Sequence, residues 1–170
     1  SALLRPSSMS VHSFVIIVHR HQLIQGVVHD PTAYLFNGVA GHAGLFSTLN
    51  DLVKYMRIHL SGGQVPGDIR IYPKTTVDLF SAKVTGLPYN NTRALGWDTV
   101  PVQTYPPCGH KFSANSFGHT GFTGTSIWAD KDKDLLIVLL TNRVHPTALQ
   151  NTHIKARSDI SDAIVDALGL

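Results

Sequence analysis

The sequence predicts an α+β domain, an α/β sandwich in which helices flank an antiparallel sheet. Three observations carry that expectation. Between Thr125 and Thr141 two β-rich apolar segments enclose a charged turn; apolar residues recur at helical spacing from Leu49 to Leu60; and they recur close to helical periods from Ile154 to Leu168. A hairpin that is apolar on both sides needs a covering layer on each face, and amphipathic helices are suited to supply it.

Taken in order, Ser1 to Gln25 is poorly patterned. Within it Phe14 to Val18 has the β-branched content of a strand, and the polar His19-Arg20-His21 follows. Gly38 to Gly44 places three glycines in seven positions, which suits a tightly turned loop where backbones approach closely. Ser47 or Thr48 can cap the helix that follows, with Asp51 three residues after Thr48 as a weak capping box. Leu49, Leu52, Val53, Met56 and Leu60 form its apolar stripe until Ser61-Gly62-Gly63 ends it. A second, shorter helix is expected to begin at Pro73 and bury Val77, Leu79 and Phe80.

Residues 86 to 115 are rich in Pro, Gly and Asn, with Ala94 to Trp97 as a candidate strand. Thr125 to Ala129 then reads as a strand, Asp130 to Asp134 as a turn, and Leu135 to Thr141 as a strand buried on both faces. Ile154, Ile160, Ile164 and Leu168, with Val165 beside them, predict a final helix packed on that hairpin. No internal repeat or low-complexity segment interrupts the chain.

Composition narrows the function classes. With 170 residues, 43% hydrophobic and 15% charged, the chain is sized for one domain with its own core. The formal charge of +3 comes from scattered Lys and Arg, with no basic stripe for nucleic acid. Its apolar runs fall far short of the ~20 residues that span a bilayer. Ser1 to Ser10 does not read as a signal peptide, so a signal for export would lie outside this stretch, and the compartment stays open. Cys108 has no second cysteine to pair with and, as a loop thiol without an evident partner, reads as inert.

The chemistry-bearing candidate is His119-Thr120-Gly121, a polar tripeptide placed just before an apolar hairpin. Alone it could be a turn. His42 reads as a loop histidine bonded to a backbone carbonyl, His29-Asp30 as a structural pair, and Trp97 and Trp128 as core. Arg143 closes the second strand and calls for a carboxylate or a carbonyl.

Four segments in this order, Gly38 to Thr48 (GVAGHAGLFST), Arg93 to Trp97 (RALGW), Phe117 to Gly124 (FGHTGFTG) and Asp134 to Pro146 (DLLIVLLTNRVHP), resemble the serine β-lactamase and penicillin-binding-protein family. The likeness is nearest to its class C, D-alanyl-D-alanine carboxypeptidase and esterase-like branch, and it runs from about Gly26 to the end. It divides the chain into the poorly patterned residues 1–25 and residues 26–170, the C-terminal part of such a domain. The implied fold is a partial β-lactamase/transpeptidase-like fold. His119-Thr120-Gly121 is similar to the family's third motif, on the edge strand of the sheet. That likeness implies catalytic positions at His119, Thr120 and Gly121, and substrate contacts at Phe122 and Thr123. By the same analogy the Phe122 amide would donate to the oxyanion, His119 and Thr120 would orient substrate carboxylate or catalytic network, and Gly121 would let substrate approach the backbone.

The family also uses a Ser-x-x-Lys motif and a Tyr-x-Asn motif. No serine here is followed three residues later by lysine. Tyr89-Asn90-Asn91 matches Tyr-x-Asn in letters but follows the GHAG loop, where the family's motif precedes it, so the match reads as chance. The resemblance therefore implies the C-terminal portion of a serine acyl-transfer hydrolase. Its partner would be the missing N-terminal half or a covering protein, and its substrate a small acyl compound: a β-lactam, a D-alanyl peptide or an ester. The alternatives are a non-catalytic remnant acting as a structural or interaction subunit, and a chain truncated from a longer gene. No cofactor is implied. His19-Arg20-His21 has the His-x-His spacing of metallo-β-lactamases, but Gln22-Leu23-Ile24 follows where that motif continues with Asp and a third His, so no metal site is expected. An isolated half should also expose a sizeable apolar surface.

Overall fold

The structure is a computed structural model, and it describes residues 15–16, 23–86, 88 and 91–170. A two-residue strand β1 (Val15–Ile16) pairs antiparallel with β2 (Leu23–Ile24). The rest of the expected Phe14 to Val18 strand, the His19-Arg20-His21 triplet and Tyr89-Asn90 lie outside the described residues. A single turn of helix, α1 (Pro31–Leu35), follows. Asp30 caps it by accepting the Ala33 N–H at 2.7 Å, and Pro31 supplies a preset first helical residue.

Helix α2 (Leu49–Leu60) occupies the expected span. Thr48 is its N-cap, accepting the Asp51 N–H at 3.2 Å while its hydroxyl donates to the Asp51 carboxylate at 2.9 Å. The hairpin β3 (Gln64–Val65) and β4 (Ile69–Arg70) leads to α3 (Lys74–Ser81), with Pro73 at the N-cap position. Here the burial expectation is corrected. Val77 and Ser81 are buried, one helical turn apart, while Leu79 and Phe80 face outward, because a helix this short offers only one stripe to its support.

Ala94 to Trp97 is not a strand. The Ala94 N–H donates to the Trp97 carbonyl at 2.8 Å, and Gly96 sits at φ +93°, so the chain reverses between Arg93 and Asp98. The strand begins just after the turn, as β5 (Asp98–Thr99).

The main sheet has the order β5, β6 (Phe117–Thr120), β7 (Ser126–Asp130), β8 (Leu135–Leu139), antiparallel throughout. Its hairpin pairs Asp130 with Leu135 through Ser126 with Leu139, around the charged turn that the sequence predicts. Alternation sorts the side chains. On one face Met56 and Leu60 of α2 pack on Phe117, Ala129, Ile127 and Leu136. On the other, Trp128 and Ile137 meet Val165 of the final helix α4 (Thr152–Leu168), with Cys108 and Phe112 from the preceding loop. Strand β8 lies between two helical layers as expected, although along it only Ile137 is buried and its neighbours are half-buried.

Helix α4 covers the sheet with only part of the expected stripe: Val165 is buried and Ile164 packs partly buried against the same core. Arg157, Ser158, Ser161 and Val165 are buried, while Ile154, Ile160 and Leu168 are exposed. Short serines suit a helix that must sit down over the bulky Trp128 ring.

Candidate functional site

His119 and Thr120 are the last two residues of β6, and Gly121 begins the turn that follows. The short β5 covers β6 only at Phe117 and Gly118, so from His119 onward the outer edge of the strand has no strand partner among the described residues. β6 is thus an edge strand only over its last two residues and the turn that follows. Gly118 cannot carry a side chain, since a Cβ would lie 2.3 Å from the Ile127 carbonyl oxygen and 2.5 Å from the Trp128 ring.

His119 and Thr120 point to opposite faces. The His119 Nε2 lies 3.0 Å from Arg93 Nη1, and its Nδ1 lies 2.8 Å from the Thr120 carbonyl oxygen. A guanidinium only donates, so this pair of contacts fits the tautomer with the proton on Nδ1. Arg93 in turn pairs with Asp98 at 2.9 Å, which ties the histidine to the start of β5. Thr120 lines a cavity of about 260 Å³ with Thr92, Asp98, Gln103 and Trp128.

After Thr120 the chain makes a tight turn. The Gly121 N–H points inward to the Thr125 carbonyl at 2.8 Å, and the Gly124 N–H closes the turn on the Gly121 carbonyl at 3.0 Å. Phe122 is the second residue of that turn, a position whose N–H takes no part in the turn's own hydrogen bond. The Phe122 N–H accordingly has no acceptor among the described residues. A Cβ at Gly121 would approach the Thr125 hydroxyl to 2.3 Å, so any larger residue there would have to displace that side chain.

Two arginines hold the turn by its carbonyls. Arg143 donates from Nε to the Phe122 carbonyl at 2.6 Å and lays its guanidinium 4.1 Å from the Phe122 ring centroid, while His29 stacks on the same ring at 5.6 Å. Its backbone N–H also donates to the Thr123 carbonyl at 2.8 Å. Arg157 reaches from α4 and donates to the carbonyls of Gly121 (2.9 Å), Thr125 (2.7 Å) and Gly124 (3.2 Å). It is only 7% exposed, and burial, followed by the Arg143 charge, pushes its guanidinium below the usual pKa.

The open choice for Arg143 thus resolves to carbonyl partners. His42 departs from its expected role: its Nε2 meets the Asp30 carboxylate at 2.8 Å rather than a loop carbonyl, because Asp30 is already fixed there as the cap of α1. Trp128 is core, and Trp97 packs half-buried against Phe117. The Cys108 thiol is pushed up to about 12 by burial, so it carries no nucleophile at neutral pH. Among the described residues no cluster of three metal-ligating side chains forms, and no helix is long and apolar enough to cross a membrane.

Sequence alone assigns no site role to Arg157, nor to Arg93 and Asp98 beside His119. For Arg157 a signal exists, since it interrupts the expected isoleucine stripe at the third residue after Ile154 and the third before Ile160.

A family model described as Beta-lactamase matches residues 17–161. The chain belongs to the beta-lactamase family. This beta-lactamase-family chain is 39% identical over 128 residues to the N-acetylmuramyl-L-alanine amidase of Bacillus subtilis (strain 168), a match covering 74% of the chain and 28% of that protein. It is 38% identical to the putative D-alanyl-D-alanine carboxypeptidase of Escherichia coli (strain K12), covering 74% and 29% respectively. Its fold is similar to the crystal structure of a beta-lactamase from Mycobacterium bovis, with a TM-score of 0.57, 25% identity, and coverage of 75% of this chain and 47% of that one. The chain therefore spans less than a third of these curated relatives and about half of the solved structure. The fold and serine β-lactamase and penicillin-binding-protein membership expected from the four motifs stand, with helices on both faces of an antiparallel sheet.

Proposed function

We propose that residues 26–170 are the C-terminal portion of a serine acyl-transfer hydrolase and supply its oxyanion turn, the Ser-x-x-Lys pair coming from a polypeptide portion outside this chain. In that reaction a serine oxygen adds to a substrate carbonyl carbon and the carbonyl oxygen takes up the negative charge. Collapse expels the amine or alcohol, and water then releases the acyl group from the serine. The Phe122 N–H donates to the charged oxygen, Gly121 keeps the approach open, and His119, Thr120 and Thr123 contact and orient the substrate.

The observation that carries this reading is an unclaimed Phe122 N–H on a turn whose carbonyls are bound by Arg143 and Arg157. A donor held in place before charge develops is what oxyanion stabilisation requires. The relatives' names, an amidase and a putative carboxypeptidase, favour an amide-type acyl substrate over a simple ester. A second reading, a non-catalytic subunit, is favoured by the absence of any Ser-x-x-Lys in this sequence.

Intact mass spectrometry with excess β-lactam or activated ester tests both. The 170-residue chain should gain no adduct, and a species that also carries the nucleophile portion should gain one. In that species Phe122→Pro removes the N–H at a turn position proline tolerates, and should slow acylation about 100-fold, with Phe122→Ala near wild type. An adduct on this chain alone, or equal rates for the two variants, would overturn the proposal. No adduct in the larger species would leave the subunit reading standing instead.

A further inference from the structure

Behind the turn, between the end of β8, the loop after it and the first turns of α4, lies a cavity of about 310 Å³. Thr141, Arg143, Gln150, Thr152, His153 and Arg157 are among its lining residues. Its charge is uncompensated. All 11 carboxylate side chains of the chain lie among the described residues, and none pairs with Arg143 or Arg157. The carbonyl bonds engage Nε and Nη1 of Arg143 and Nε and Nη2 of Arg157, so each guanidinium keeps one terminal nitrogen with no partner among the described residues.

One further feature carries the same sign, and a second leaves a buried ring nitrogen without a well-formed bond. Helix α4 starts at Asn151 without a side-chain cap, so its first N–H groups face the loop at the positive end of the helix dipole. His153, in the first turn, buries its Nδ1 facing the Gln150 carbonyl without a well-formed hydrogen bond. Burial first, and then the Arg157 and Arg143 charges, hold this histidine below the usual pKa. Like charges brought together in a half-enclosed space are unfavourable until an anion joins them.

We propose that this cavity binds a small oxyanion, a carboxylate or phosphate group, between Arg143, Arg157 and the first turn of α4. The group would accept from the spare guanidinium N–H donors and the helix N–H groups, as anions do at other helix starts flanked by arginine. The site does not rest on acyl transfer, and it would exist in a non-catalytic subunit equally.

The test is a titration of the isotopically labelled chain with sodium phosphate and, separately, sodium acetate, against sodium chloride at matched ionic strength. The arginine Nε–H signals of Arg143 and Arg157 and the ring signals of His153 are followed by NMR. The expected result is a saturable shift at these signals with an oxyanion and none with chloride; whichever oxyanion saturates at lower concentration identifies the group. Arg143→Gln removes one charge while leaving the three Arg157 bonds, and should weaken binding about tenfold. Arg157→Gln should do the same, and if that variant does not fold, Arg143→Gln still decides. No saturation, an equal response to chloride, or unchanged affinity in Arg143→Gln would overturn the site.

Discussion

Asp130 is fully buried, yet it needs no cation, because it accepts four hydrogen bonds: the Ser113 N–H and hydroxyl at 2.7 and 2.6 Å, and the N–H groups of Asp132 and Lys133 at 3.0 and 3.2 Å. One carboxylate therefore shapes the β7–β8 turn and fastens the 113–116 loop to it. Asp130→Ala leaves those donors unsatisfied and should cost about 2–3 kcal/mol, read as a lower urea midpoint with an unchanged slope. His110 gives a pH signature. Its hydrogen bond to Asp162, at 3.0 Å, raises its pKa, so the folded state holds the proton more tightly than the unfolded chain does. The stability this adds is complete below the ordinary histidine value of about 6.5 and is lost as pH rises through the raised one. Over that window wild type should lose stability with rising pH, and His110→Ala should show a flatter profile in denaturant melts.

Elements were legible in proportion to how far local pattern decided them. Helix α2 carries a cap, a stripe and a stop within one stretch of chain, so its span could be read directly, and its anchor Met56 is fully buried against Phe117 and Ala129. Met56→Ala should destabilise by about 2–5 kcal/mol, since the sheet below cannot close the space. The hairpin β7–β8 was legible for the same reason. Helix α4 was legible as a helix and in its Ile164 and Val165 contacts, but not in the rest of its facing, because Arg157, Ser158 and Ser161 are buried while Ile154, Ile160 and Leu168 stay exposed. Ala94 to Trp97 misled because its apolar letters resemble a strand, whereas the positive φ of Gly96 turns the backbone. In the candidate site, motif alone marks the turn at His119 to Thr123, but the Arg143 and Arg157 contacts to its carbonyls join positions 21 and 32 to 36 residues apart, which no local pattern records.

Across the described residues large apolar side chains are exposed at several places, Val102 and Leu149 among them, and one group is local in sequence. Leu35, Phe36, Val39 and Leu45 are exposed by 64% or more, all within the α1 and GHAG segment that leads into α2. A chain that spans under a third of its curated relatives and leaves such residues uncovered should associate or seek a cover. The 170-residue chain should bind the dye ANS and sediment faster as concentration rises, and replacing Leu35 and Leu45 with Ser should reduce both effects. Concentration-independent sedimentation without dye binding would count against an uncovered face. Arg157 grips the turn only through the backbone. Every bond it makes is to main-chain oxygen, at Gly121, Gly124 and Thr125, and none is to a side chain. The grip is indifferent to what residues 122 and 123 display. Under the proposed function, the side chains at those two positions could be exchanged without breaking any Arg157 bond, so contacts to a substrate could change while this anchor stays in place.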